Sequence, residues 1–272
     1  MEKERFEEID FVRGLAVVFM IAYHAMFDLR IAGFLDLQIG SFPFEVFANV
    51  TAGTFFSVVG ISLYISFSRT KKEGYRKNYR LKKYSVRGIK LLGWGATVTV
   101  ITYFLFPDMV ILFGALHFIG VSVMLGYGAL ELTKGWKKFY RFTFLITIIT
   151  AVFLISGSVR NLRVDNPIFL WLGIVPHEFQ SLDYFPILPW FGLVVSGLIL
   201  GEVLYPRGSR RWEFYRIGNS PLELLGRHAL VVYFFHQPLI YLSIYLFALF
   251  SNLNESGLIA PSVDLLSWLS GG

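Results

Sequence analysis

The sequence predicts an all-α protein, a polytopic transmembrane helix bundle of about seven spans that forms one integral-membrane domain over residues 1–272. Of the 272 residues, 55% are hydrophobic and 16% are charged, whereas a soluble domain carries about a quarter charged residues. Several apolar runs approach or exceed the roughly 18 residues that indicate a transmembrane helix. The polar connections between these runs differ strongly in charge, which gives the bundle a predicted orientation.

The apolar runs define the spans in order, each separated from the next by a polar or turn-rich connection. The first follows the charged segment "MEKERFEEID", and the last ends before a tail that lacks Lys and Arg. The predicted spans are 11–32, 48–68, 88–106, 110–132, 142–158, 185–204 and 223–250.

Lys and Arg concentrate in alternate connections of this series. Residues 69–90 hold ten of them, 134–141 hold four and 205–227 hold five, while Arg30, Arg160 and Arg163 are left for the other side. The positive-inside rule therefore places the N-terminus in the cytoplasm and, with an odd number of spans, the C-terminus outside. We expect a multi-pass protein of the cell membrane, with the tail 251–272 forming a short helix at the interface.

The composition also limits the chemistry. The chain has no cysteine, so disulfides, thiolate metal sites and a cysteine nucleophile are excluded. The net charge of +6 is explained by the basic connections that set the membrane orientation, so no nucleic acid is expected as a partner. Membrane lipids are the expected partners of the basic residues in 69–90. No metal is expected, because no HxH, HxxH or HExxH spacing is present.

Histidines inside the spans are the first candidates for function, because ionisable residues in a membrane are costly. His24 and His236 lie about 20 Å from the inner ends of their spans, and His117 lies roughly 10 Å from an outer end. All three are thus expected at a similar depth. Each could instead fill a structural role, hydrogen-bonded between helices.

Span one carries a line of polar groups. Arg13 and His24 are eleven positions apart, close to three helical turns. Asp28 follows His24 by one turn, so the two share a helix face. An Asp beside a His can fix its tautomer as in a catalytic dyad; the alternative is a buried polar pair that specifies helix packing.

The segment "EIDFVRGLAVVFMIAYHAMFDL" (8–29) resembles the opening of the heparan-α-glucosaminide N-acetyltransferase-like catalytic domain family. It is also similar to transmembrane acyltransferases that O-acetylate bacterial surface polysaccharides, which share an Arg, ten residues and a His. Three later blocks resemble the first family: "FGALHFIG" (113–120), "DYFPILPWFGLVVSGLILG" (183–201) and "LGRHALVVYFFHQPLI" (225–240).

The resemblance implies acyl transfer from cytoplasmic acyl-CoA, by default acetyl-CoA, to a hydroxyl or amine of a glycan or lipid acceptor outside. His24 is then the expected general base and Asp28 its orienting partner, with His117 or His236 donating to the thioester oxygen. Helix-end cations are expected to bind the CoA phosphates: Arg13, Arg87, Lys90, Arg227 and His228. A branch of the family places its catalytic histidine in the loop after the first helix, where this chain has none in 31–45.

The longest outer connection, 159–184, is expected to recognise the acceptor through Arg160, Arg163 and Asp183, or else to lie on lipid headgroups. Two other function classes stay open. A transporter or channel would use the intramembrane His and Asp as a proton relay, and a seven-helix receptor or structural protein would not need them. The sequence allows a homodimer and does not define the oligomeric state.

Overall fold

The computed structural model describes residues 5–38, 41–212 and 220–250, of which the side chains of 249 and 250 are left aside. Over this part of the chain every regular element is a helix, apart from one isolated bridge between Arg163 and Val175. The α-helices are α1 Glu7–Ile31, α2 Phe42–Lys72, α3 Lys77–Leu105, α4 Ala115–Leu132, α5 Lys138–Val159, α6 Ile187–Leu204, α7 Pro221–Arg227 and α8 Ala229–Phe250.

Seven of these helices, α1 to α6 and α8, are long and apolar enough to cross a membrane, which confirms the predicted all-α class and the span count. The chain divides into two compact units. The first contains Met1–Phe55 with Phe214–Gly272, and the second contains Phe56–Glu213, so that α2 runs from one into the other. The single domain over 1–272 stays a prediction.

In the first unit, α1 packs against α7 and α8. The α1–α7 contact is made by backbone against backbone. A Cβ atom on Gly14 would lie 1.8 Å from the carbonyl oxygen of Leu222, and one on Gly226 would lie 1.8 Å from that of Asp10. Because no side chain fits between these positions, the two glycines fix how closely α7 approaches α1.

The second unit pairs α3 with α4 and α5 with α6. Arg80 of α3, only 2% exposed, makes two hydrogen bonds of 2.7 and 2.9 Å to Glu131 of α4. Arg141 of α5 forms the equivalent two-pronged contact with Glu202 of α6. Bidentate pairs of this kind fix the register of two helices as well as their contact.

The core of the second unit also contains a close helix crossing and an aromatic cluster. Gly60 of α2 and Gly197 of α6 meet so closely that a Cβ on either would lie 2.1 Å from a backbone oxygen of the other helix. Around the same part of α2, ring centroids lie 4.4–5.6 Å apart among four aromatic residues: Phe56, Phe118, Phe185 and Trp190.

The helices differ from the predicted spans at several of their ends, and three of these differences have identifiable reasons. Helix α3 begins at Lys77 and not at 88, because Lys and Arg are good helix formers that a hydropathy window scores as a loop. Helix α4 begins at Ala115 and not at 110, after a 3₁₀ turn over Pro107–Met109. The predicted span 223–250 is broken at His228, between α7 and α8. The expected interfacial helix in 251–272 lies outside the described residues.

The glycine contact between α1 and α7 gives a direct test. Gly226→Ala places a methyl group against the backbone of Asp10, so we expect unfolding to become easier by about 1–3 kcal/mol. The matched control is Gly128→Ala, since a Cβ at Gly128 of α4 meets nothing within 4 Å; alanine there is expected to leave stability equal or higher. Thermal unfolding in detergent measures both, and equal melting temperatures would contradict the packing described.

Candidate functional site

Five polar side chains form a cluster between α1 and α8 within the first unit, and we call it the α1–α8 cluster. His24 of α1 and His236 of α8 lie side by side, with ring centroids 5.0 Å apart. The Asp28 carboxylate accepts a 2.8 Å hydrogen bond from the Gln237 amide and is also hydrogen-bonded to Tyr241. The structure thus brings His24, Asp28 and His236 together, on two helices that are far apart in sequence.

Asp28 is held by α8. It is 2% exposed, and its hydrogen bonds from Gln237 and Tyr241 both come from that helix. The sequence suggested instead that Asp28 orients His24, one turn earlier on α1. In the structure, Asp28 therefore links α1 to α8, and its other oxygen, Oδ1, is buried without a hydrogen-bond partner among the described residues.

His236 has a defined tautomer when neutral. Its Nδ1 lies 2.7 Å from the carbonyl oxygen of Tyr233 and 3.2 Å from that of Val232. Carbonyl oxygens only accept, so Nδ1 carries the proton. The other nitrogen, Nε2, is then an acceptor, and it is buried without a partner among the described residues. This tautomer does not suit the expected donation to a thioester oxygen.

His24 occupies the more accessible side of the pair. It is half-buried, and its ring meets Tyr23 edge-on at 5.4 Å. Tyr23 in turn lies 4.8 Å from Phe44 at the start of α2. An imidazole with aromatic walls and a second imidazole beside it is suited to proton transfer, because it can reach a bound group without being exposed to bulk water.

At the other end of α1, two of the expected phosphate-binding arginines are engaged with carboxylates. Asp10, 4% exposed, accepts from Arg5 at 2.5 Å and from Arg13 at 2.6 Å. Arg227 lies 4.0 Å from Asp10 and forms an ion pair with Glu223. Three guanidinium groups thus share two carboxylates in this α1–α7 arginine cluster.

The remaining expected donor-binding residues are spread over both units. His228, at the break between α7 and α8, is exposed, and its Nδ1 lies 3.0 Å from the carbonyl oxygen of Leu224. Arg87 and Lys90 belong to the second unit, at exposed positions of α3. The structure therefore does not bring the five together within one unit.

In the second unit, His117 and Asp183 meet at the N-terminus of α4. The Asp183 Oδ2 accepts from the backbone N–H of Ala115 at 2.8 Å, and His117 Nδ1 accepts from that of Gly114 at 3.3 Å. Since its Nδ1 accepts, neutral His117 has its proton on Nε2 and can donate there. Its ring packs on Gly95 of α3, where a Cβ would come within 2.8 Å.

The connection between α5 and α6 is ordered by its own contacts. Arg163 donates to the carbonyl oxygens of Arg160 and Leu162. Asp165 pairs with His177 at 3.0 Å, a hydrogen bond that holds the pKa of the Asp165 carboxyl below its usual range. Burial raises the pKa of Tyr184 to about 12, so its hydroxyl stays protonated and donates to Leu170 at 2.7 Å.

Gln237, Tyr241 and Glu223 were not predicted from the sequence, although the sequence holds a signal for two of them. Gln237 directly follows His236 in an apolar run, and Tyr241 lies one turn later on the same face. Glu223 is the first residue of the predicted span 223–250. Among the described residues, no group of three or more His, Asp or Glu side chains is arranged to hold a metal ion.

Comparison with known proteins identifies the chain at the level of a family. The model described as "Heparan-alpha-glucosaminide N-acetyltransferase, catalytic" matches residues 5–238. That range includes four members of the α1–α8 cluster and the whole α1–α7 arginine cluster. Searches of curated proteins and of solved structures returned no significant match.

Two substitutions of Asp183 test whether its contact with Ala115 stabilises the N-terminus of α4. Asp183→Ala removes the acceptor at the N-terminus of α4, and we expect a loss of about 1 kcal/mol in stability. Asp183→Asn keeps an oxygen that can accept from Ala115, so most of that stability should remain. Thermal unfolding of both variants tests this. If neither variant changes the melting temperature, the Asp183 contact does not stabilise the N-terminus of α4.

Proposed function

Because the chain belongs to the heparan-α-glucosaminide N-acetyltransferase catalytic family, we propose that it moves an acetyl group from cytoplasmic acetyl-CoA to an acceptor on the other side of the membrane. The family and the seven spanning helices make it a multi-pass membrane protein of an acetyltransferase family. We also propose that the acceptor group is a hydroxyl or amine of a glycan or lipid.

The observation that carries this proposal is the contact between His24 and His236 inside two apolar helices. Polar residues at such depth are expensive, and a packing role would favour groups that satisfy one another. Here buried polar atoms of Asp28, His236 and Gln237 have no partner among the described residues. A reaction site that binds a polar substrate group accounts for both facts.

The chemistry assigned to this cluster is a single acyl transfer with general base catalysis. Neutral His24 takes the proton from the acceptor hydroxyl or amine as its oxygen or nitrogen attacks the thioester carbonyl carbon. The C–S bond then breaks, and the proton passes to the departing CoA thiolate, so the step neither consumes nor produces protons. Asp28 and His236 position the reacting groups across α1 and α8.

The donor's phosphates are assigned to the α1–α7 arginine cluster. Its three arginines, and the position of Arg13 eleven residues before His24, favour phosphate near one end of α1 and acyl transfer near the other. Eleven residues correspond to roughly 16 Å along the helix axis. This length suits an extended pantetheine arm, with the thioester beyond it.

The donor site can be tested without transfer activity. Arg227→Gln alone would leave Glu223 buried and unpaired, so the double variant Glu223→Gln/Arg227→Gln is used, which removes both charges together. We expect acetyl-CoA binding, measured by calorimetry on folded protein in detergent, to weaken at least tenfold through the loss of a phosphate contact. Binding equal to that of the wild type would show that Arg227 only balances Glu223.

The base is tested by comparing two histidines. His24→Ala is expected to keep acetyl-CoA binding and to lower acetyl transfer by about 100-fold or more, the usual range for a lost general base. His177→Ala, in the exposed outer connection, is the matched control and should keep its rate. The transfer rate is measured from the CoA thiol that is released in the presence of D-glucosamine. A His24→Ala enzyme as fast as the control would remove His24 from the mechanism.

A further inference from the structure

Asp28 and Gln237 leave two buried oxygen atoms unused in the α1–α8 cluster. Gln237 donates its amide to Asp28 Oδ2 at 2.8 Å and is hydrogen-bonded to the Tyr241 hydroxyl as well. Its NH₂ group is thereby occupied, and its carbonyl oxygen Oε1 is buried without a partner among the described residues. The same holds for Asp28 Oδ1.

The Gln237 oxygen can only accept, and Asp28 Oδ1 accepts when the carboxyl group is ionised. A buried acceptor without a donor costs about 1–3 kcal/mol, so two of them on contacting side chains would be costly if the pair served helix packing alone. Nearby, the Nε2 atom of His236 is also an acceptor without a partner among the described residues.

We propose that the Asp28–Gln237 pair is a binding subsite for a hydroxyl or amino group, the hydrogen-bond donor of the acyl acceptor. Because this subsite offers hydrogen-bond acceptors, it does not suit the thioester, the other reacting group. A thioester carbonyl oxygen, and still more the oxyanion formed from it, would face oxygen atoms that only accept. The subsite therefore binds the nucleophile's side of the reaction, and it selects acceptors that carry more than one donor, such as a sugar ring or an amino sugar.

The position of the subsite along α1 also indicates where the acceptor binds relative to His24. Asp28 lies one turn beyond His24, away from the arginine cluster at the start of the helix. A donor group bound at Asp28 and Gln237 leaves a neighbouring hydroxyl or amine of the same acceptor facing the His24–His236 pair. Specificity would then come from Asp28 and Gln237, and proton transfer from the histidines.

This inference rests on the proposed function only in naming the ligand as the acyl acceptor, and binding can be tested without turnover. The measurement is thermal unfolding of the purified chain in detergent with D-glucosamine, which has several donors, or with 1,2-dimethoxyethane, which has acceptors only. The variants are Asp28→Asn, which replaces one acceptor oxygen by a donor, and Gln237→Leu. The control is Ser243→Ala on the same helix, an exposed residue bonded to its own backbone.

We expect D-glucosamine to raise the melting temperature of the wild type and of Ser243→Ala by about 2 °C or more, and the ether to leave it unchanged. Asp28→Asn and Gln237→Leu should lose the glucosamine shift and keep the shift caused by acetyl-CoA. A glucosamine shift that is absent in the wild type, or that is as large in both site variants as in the wild type, would overturn the subsite. If acetyl-CoA fails to stabilise the wild type, the proposed function fails, while the glucosamine comparison still decides the subsite.

Discussion

The structure depends on one constraint, that a charge taken out of water must meet an opposite charge. Three arginines meet it in the same way, each pairing with a carboxylate of low exposure: Arg13 with Asp10, Arg80 with Glu131, and Arg141 with Glu202. Two of the pairs join successive helices, α3 to α4 and α5 to α6. In the third, Arg227 and the Gly226 carbonyl bring α7 to Asp10 and Arg13 of α1. Removing one partner of such a pair leaves a buried charge, which is why these contacts define which helices pack together.

The α1–α8 cluster departs from this rule, and the departure has physical meaning. The arginine pairs satisfy their charges with several hydrogen bonds each. In the cluster, by contrast, Asp28, His236 and Gln237 each keep a buried acceptor atom without a partner among the described residues. Groups left unsatisfied inside a well-packed fold are expected where a ligand completes them, because their cost is offset only when the ligand binds. The same helix α1 thus has a cluster of paired opposite charges at one end and, at the other, a cluster whose carboxyl group has no cation beside it among the described residues.

Much of the fold follows from the sequence, because hydropathy and the distribution of Lys and Arg respond to the bilayer itself. The seven spans were predicted on that basis, and the errors lie where helix formation does not depend on lipid, as in the basic first turns of α3. The site was predicted only in part. Depth along the helices placed His24 and His236 at one level, but depth does not say which helices touch. The contacts of Asp28 with Gln237 and of Arg13 with the Gly226 carbonyl could not be predicted, because they depend on the approach of α8 and α7 to α1.

That approach explains why the helix is broken at His228. At Gly14 and Gly226 the backbones of α1 and α7 are in direct contact. Next to His24 and Asp28, α8 must leave room for imidazole rings 5.0 Å apart and for the Gln237 amide. A single straight helix parallel to α1 would keep one distance from it and could not provide both the glycine contact and the room for the polar cluster. Because α7 ends at Arg227 and α8 starts at Ala229, each segment can take its own distance from α1.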